Sequence, residues 1–174
     1  MYTIKRVGFA VVSALASLAF LGVTSAAAFP PVGSAVSGVD NGRGISIGGL
    51  TTCGVSFNGH VTGLETFGGG TISVDRISFT GCSSGATVTA NDLPWTLGTD
   101  ATLSSVLYPN DVSITTSRGT CRYSGDLLGY TNGAGTWFLN GPVFQRAAGC
   151  GGADQLTTSV GAQLRDSQGN PVGL

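Results

Sequence analysis

The stretch Gln155-Leu-Thr-Thr-Ser-Val-Gly-Ala-Gln-Leu-Arg165 alternates almost without a break. Leu156, Thr158, Val160, Ala162 and Leu164 fall on one face, and Gln155, Thr157, Ser159, Gln163 and Arg165 on the other. A period of two with one apolar side is the pattern of a strand half buried on a core. No window of residues 29–174 sustains a helical period, β-branched residues abound and good helix formers are scarce. With turn signals every eight to twelve residues or so, the chain reads as all-β. The expected fold is an antiparallel β-sandwich or barrel of about 8–10 strands.

The same reading extends backwards. Cys53, Val55 and Phe57 alternate with Thr52, Gly54, Ser56 and Asn58, and Asn58-Gly59 offers a hairpin turn. Gly68-Gly69-Gly70 is a further break. Ile72 and Val74 share a phase that Ile77 and Phe79 have lost by one residue, so a bulge is expected at Asp75-Arg76. A short strand over 86–90 closes at Asn91-Asp92. Two strands, Thr102 to Tyr108 and Val112 to Thr116, flank an expected turn at Pro109-Asn110-Asp111. Further turns are expected at Ser124-Gly125-Asp126 and Asn132-Gly133, with strands over Thr136 to Leu139 and Val143 to Arg146.

Cysteines punctuate this pattern. Cys53 and Cys82 stand 29 residues apart, as do Cys121 and Cys150, each span opening on a strand and closing on Gly-Cys. The two spans look like one design used twice. An even count reads as two disulfides if the chain is exported. Three pairings exist, and the repeat favours Cys53–Cys82 with Cys121–Cys150.

Export is expected from the first 28 residues. Lys5 and Arg6 form a basic start, Val7 to Val23 is apolar, and Ser25-Ala-Ala-Ala28 supplies the small residues for cleavage after Ala28. A retained membrane anchor is the alternative, the apolar run falling just short of the ~20 residues that span a bilayer. Phe29-Pro30-Pro31 argues against a continuing helix. The division is therefore a signal peptide over 1–28, a flexible arm over 29–44 with a turn at Asp40-Asn41-Gly42, and one β domain over 45–174. The protein is expected to be secreted, extracellular or held at the cell surface, with no membrane span after cleavage.

Residues 29–174 carry nine acids, six arginines and no lysine. That balance argues against nucleic acid as a partner, which asks for a basic surface. Few charges on a Gly-, Ser- and Thr-rich chain leave a surface of hydroxyls, amides and apolar groups that adheres to other surfaces.

Chemical motifs are thin. Gly44-Ile-Ser46-Ile-Gly48 fits the nucleophile-elbow expression, but no strand-to-helix turn is expected there. His60 is the single histidine; with a serine and Asp75 or Asp92 it could complete a triad, though it reads better as a surface residue. A glycosidase pair would have to come from Glu65 and aspartates that stand in turns. Asp166 to Asn170 lacks the spaced acids of a calcium loop, and no cysteine pair has zinc-ligand spacing. No catalytic, cofactor-binding or metal residue is therefore assigned, and no cofactor. Trp95, Tyr130, Trp137 and Phe138 read first as core and cross-strand packing, then as a sugar- or lipid-binding strip. If Trp137 and Phe138 share a strand, they point to opposite sides of it.

At Leu50-Thr-Thr-Cys53, Ser78-Phe-Thr-Gly-Cys82, Leu93-Pro-Trp95 and Cys121-Arg-Tyr-Ser-Gly125 the chain resembles small secreted bacterial proteins of the Pra-type alkane-oxidation activator family, together with related actinobacterial exported proteins. The resemblance spans roughly Ile45 to Leu164. It implies an exported, non-enzymatic β protein linked to growth on hydrocarbons, adhesion or biofilm, and it brings no catalytic residues. The expected partner is an apolar surface, lipid or hydrocarbon, or another protein. A fibre or coat subunit, self-assembled when the arm adds a strand to a neighbour, is the alternative, and a secreted hydrolase or protease inhibitor has less in its favour.

Overall fold

The computed structural model describes residues 29–65, 69–100, 102, 104–132, 134–146 and 153–173. The expected signal peptide over 1–28 lies outside them. Nine strands are formed among the described residues: β1 Ala35–Ile47, β2 Thr51–Leu64, β3 Gly70–Thr80, β4 Thr87–Ala90, β5 Trp95–Thr99, β6 Ser104–Thr116, β7 Gly119–Thr131, β8 Thr136–Gln145 and β9 Gln155–Asp166. All pairings are antiparallel. The ring runs β1-β2-β3-β5-β6-β7-β8-β9 and returns to β1, a closed eight-stranded barrel in which β4 and β5 lie end to end along β6.

The alternation read in the sequence decides what faces the lumen. On β9, Leu156, Thr158, Ala162 and Leu164 are buried while Gln155, Thr157, Ser159 and Arg165 are exposed. Trp95 and Trp137 fill the interior, their indole N–H groups donating to the carbonyls of Asn91 at 2.8 Å and Val172 at 3.2 Å. Side chains just fill a barrel of this strand number. What remains is an apolar cavity of about 40 Å³ among Leu97, Leu127 and the two tryptophans. A small-molecule pocket needs roughly 300 Å³ or more, so the lumen is a core and not a calyx.

The Asp75 bulge forms where the lost phase puts it: Asn58 pairs with Arg76 but Gly59 with Val74, leaving Asp75 over. Several expected turns lie instead inside strands. Asn58-Gly59 sits within β2, and a Cβ on Gly59 would come within 1.9 Å of the Ser73 carbonyl oxygen. Ser124-Gly125-Asp126 sits within β7, where a Cβ on Gly125 would meet the Pro142 carbonyl oxygen at 2.3 Å. Both glycines let neighbouring backbones approach; neither reverses the chain. Pro109-Asn110-Asp111 is likewise no turn. β6 runs through it with a register shift between Leu107 and Asn110, an irregularity that tolerates a proline without an N–H. Thr136 to Leu139 and Val143 to Arg146 merge into β8, whose last residue is Gln145.

The arm expected over 29–44 is largely strand. β1 pairs with β2 on one edge and β9 on the other from its first residues, Ala35 opposite His60 and Val36 opposite Asp166. Phe29 already packs edge-on against Trp137 with ring centroids 6.4 Å apart. The Asp40-Asn41-Gly42 turn survives as an excursion within β1, whose register with both neighbours jumps before Ile45.

Cys53 and Cys82 are bonded across the base of the β2–β3 hairpin. Cys121 opens the equivalent β7–β8 hairpin, and its expected partner Cys150 lies outside the described residues. The Cys53–Cys82 span is thus one hairpin of the ring, and the described part of the second span, β7 and β8, is another.

Candidate functional site

The chemical motifs are dispersed. Ser46 stands next to last in β1, opposite Thr52, eight positions along β2 from His60, or about 27 Å at the rise of a strand. His60 and Asp75 do meet, because the bulge turns Asp75 outward: His60 Nδ1 and Asp75 Oδ2 are 2.7 Å apart. Ser73 Oγ donates to the other oxygen of Asp75 at 2.6 Å. The carboxylate therefore lies between serine and histidine, whereas a nucleophilic triad places the histidine between serine and acid. Hydrogen bonding from Ser73, joined by His60, holds the Asp75 carboxyl below its ordinary value.

Asp92 ion-pairs with Arg122 on the far side of the ring. Arg122 also reaches Asp111 at 2.7 Å, and Arg146 and Asn91 complete the shell at 3.3 and 2.9 Å. Burial pushes the Asp111 carboxyl up, and these three partners outweigh it, leaving the group below its ordinary value. The cluster pins the β6 irregularity to β7 and has structural work enough. Asp40, Asp100 and Asp166 accept from backbone amides two residues ahead, at Gly42, Thr102 and Gln168, as turn aspartates do.

The outer face of β6, β7 and β8 is different in kind. Even-numbered residues of β7 point outward, which leaves Leu128 62% and Tyr130 57% exposed. Tyr130 pairs with Phe138 across to β8, ring centroids 5.2 Å apart, while Leu128 faces Val106 on β6. Trp137 and Phe138 do part company, Trp137 into the core and Phe138 outward. Tyr108 and Phe144 add exposed rings farther along β6 and β8.

Two grooves flank this ridge. One, about 220 Å³, is walled by Tyr130 and Phe138 with Asn140 and Ser159 beside them. Its roof is Arg43, carried outward by the β1 excursion to 5.7 Å from the Phe138 ring centroid. Asn41 covers Gly161 on the way, where a Cβ would lie 2.6 Å from its Oδ1. The other groove, about 290 Å³, runs between Leu128, Val106 and Tyr108, with Gly98 in its lining and Glu65 and Asp100 also on it. Sequence reasoning singled out Tyr130 and Phe138 but missed Arg43; the Asp40-Asn41-Gly42 turn just before it was the available signal.

One family profile, alkane oxidation protein activator PraA/PraB-like, matches residues 1–164. The chain belongs to the PraA/PraB-like family. No curated protein and no solved structure matches it. Of the four stretches that carry the resemblance, Thr51, Cys53, Trp95 and Tyr123 are buried in the barrel, while Leu50, Thr52, Thr80, Gly81 and Pro94 are exposed. The apolar ridge lies outside those motifs.

Proposed function

We propose that the protein is an exported, non-enzymatic partner of hydrocarbon oxidation that binds an apolar phase through the outer face of β6–β8. The family name supports a hydrocarbon-linked role. The observation that carries the reading is the exposed Leu128–Tyr130 ridge, backed by Phe138 and Val106, on a chain otherwise poor in charge. Singly exposed apolar residues are ordinary, but contiguous ones on neighbouring strands mark an interaction surface. Because the lumen holds only about 40 Å³, a hydrocarbon chain has to be met from outside. Strand addition by the 29–44 arm loses its footing, since β1 is already paired on both edges.

Partitioning of residues 29–174 into hexadecane droplets tests this. The protein is expected to leave buffer for the interface, and Leu128→Ser combined with Tyr130→Ser to remain in buffer several-fold more. Full recovery of the unsubstituted protein from the aqueous phase would sink the reading.

A further inference from the structure

We propose that the groove beneath Arg43 takes the anionic head of a single-chain amphiphile, a long-chain carboxylate, whose tail lies along the Tyr130–Leu128 ridge. The inference rests on the apolar-contact reading above and gives it a ligand class.

Three observations converge. Arg43 has no carboxylate within ion-pair distance among the described residues, and it stands over the Phe138 ring at 5.7 Å. Stacking on an aromatic face leaves the edge of the planar guanidinium fork free for the bidentate bonds that suit a carboxylate. Asn140 and Ser159, a cross-strand pair on β8 and β9, line the same groove and offer an amide and a hydroxyl to the head.

The tail has a path. Tyr130 and Leu128 are two residues apart on one face of β7, about 7 Å, and Leu128 opens directly into the second groove against Val106. The groove beneath Arg43, at about 220 Å³, is smaller than the roughly 300 Å³ of a small-molecule site, and the second, at about 290 Å³, lies at the bottom of that range. A ligand that uses both crosses the ridge between them. Polarity sets its direction: Arg43 is the cation at one end, while Glu65 and Asp100 line the other and repel an anionic head.

Isothermal titration of residues 29–174 with laurate below its micelle concentration tests the proposal, with dodecanol as the uncharged probe of equal chain length and glucuronate as an acid without a chain. Laurate is expected to bind one to one and tighter than dodecanol. Arg43→Gln should weaken laurate roughly tenfold or more, as loss of a charged hydrogen bond does, and leave dodecanol unchanged. Leu128→Ser should weaken both. Laurate binding no tighter than dodecanol, insensitivity to Arg43→Gln, or glucuronate binding as well as laurate would each overturn it. Hexadecane partitioning of Arg43→Gln keeps the two readings apart. Retained partitioning with no laurate binding refutes the head site alone, whereas laurate binding by a protein that ignores hexadecane refutes the apolar-phase reading and leaves the site standing.

Discussion

At the scale of single residues, the charges are few and most are committed. Asp111 is the extreme case, a carboxylate 1% exposed and held by Arg122, Arg146 and Asn91. Removing its charge leaves two guanidinium groups facing a neutral amide. Asp111→Asn should cost about 2–3 kcal/mol at neutral pH, read from urea unfolding. The pH dependence has a definite sign. Asp75, Asp100, Asp111 and Asp166 all titrate below their ordinary value when folded. Their contribution is complete above the unfolded value, about 3.9, and is lost as pH falls through the lower folded values. Stability should hold from pH 7 to about 5 and drop below about 4, less steeply in Asp111→Asn. An equal drop in both proteins would show that Asp111 does not take part.

At the scale of elements, departures from the regular ladder do the shaping. The β1 excursion delivers Arg43 and Asn41 to the outer face, the β3 bulge turns Asp75 to His60, and the β6 irregularity accommodates Pro109. Each was half visible. A phase slip betrays the β3 bulge and Asp40-Asn41-Gly42 marks the β1 excursion, whereas Pro109, like Asn58-Gly59, suggests a turn that the structure does not make. Such residues serve a reversal or a close cross-strand approach equally well, and the choice depends on a neighbour distant in sequence. Gly59 decides between them experimentally. Its Cβ would overlap the Ser73 carbonyl oxygen, so Gly59→Ala should destabilise by more than about 1 kcal/mol, well beyond its intrinsic propensity effect. A stabilising Gly59→Ala, measured by thermal unfolding, would mean the strands separate there at no cost.

At the scale of the whole molecule, the barrel is a ring of hairpins around two tryptophans, with a disulfide closing the β2–β3 base. Crosslinking across 29 residues restricts the unfolded chain by about 3–4 kcal/mol in the loop-entropy picture. The Cys53→Ala, Cys82→Ala double variant should lose about that much in urea without changing its strand content by circular dichroism. A loss under 1 kcal/mol would show that the unfolded hairpin is already compact.

The sequence by itself determined the strand class, the faces of β9 and the family, and it favoured the Cys53–Cys82 staple that the structure then formed, because alternation, cysteine spacing and short motifs are local. Closure of the sheet, the use of 35–47 as a doubly paired strand and the meeting of Arg43 with Phe138 were decided only in three dimensions. The physical reason is that a strand's pattern states which side is apolar but not which strands lie beside it. The candidate surface is assembled from the outward residues of neighbouring strands, and those neighbours are chosen by the closing of the ring.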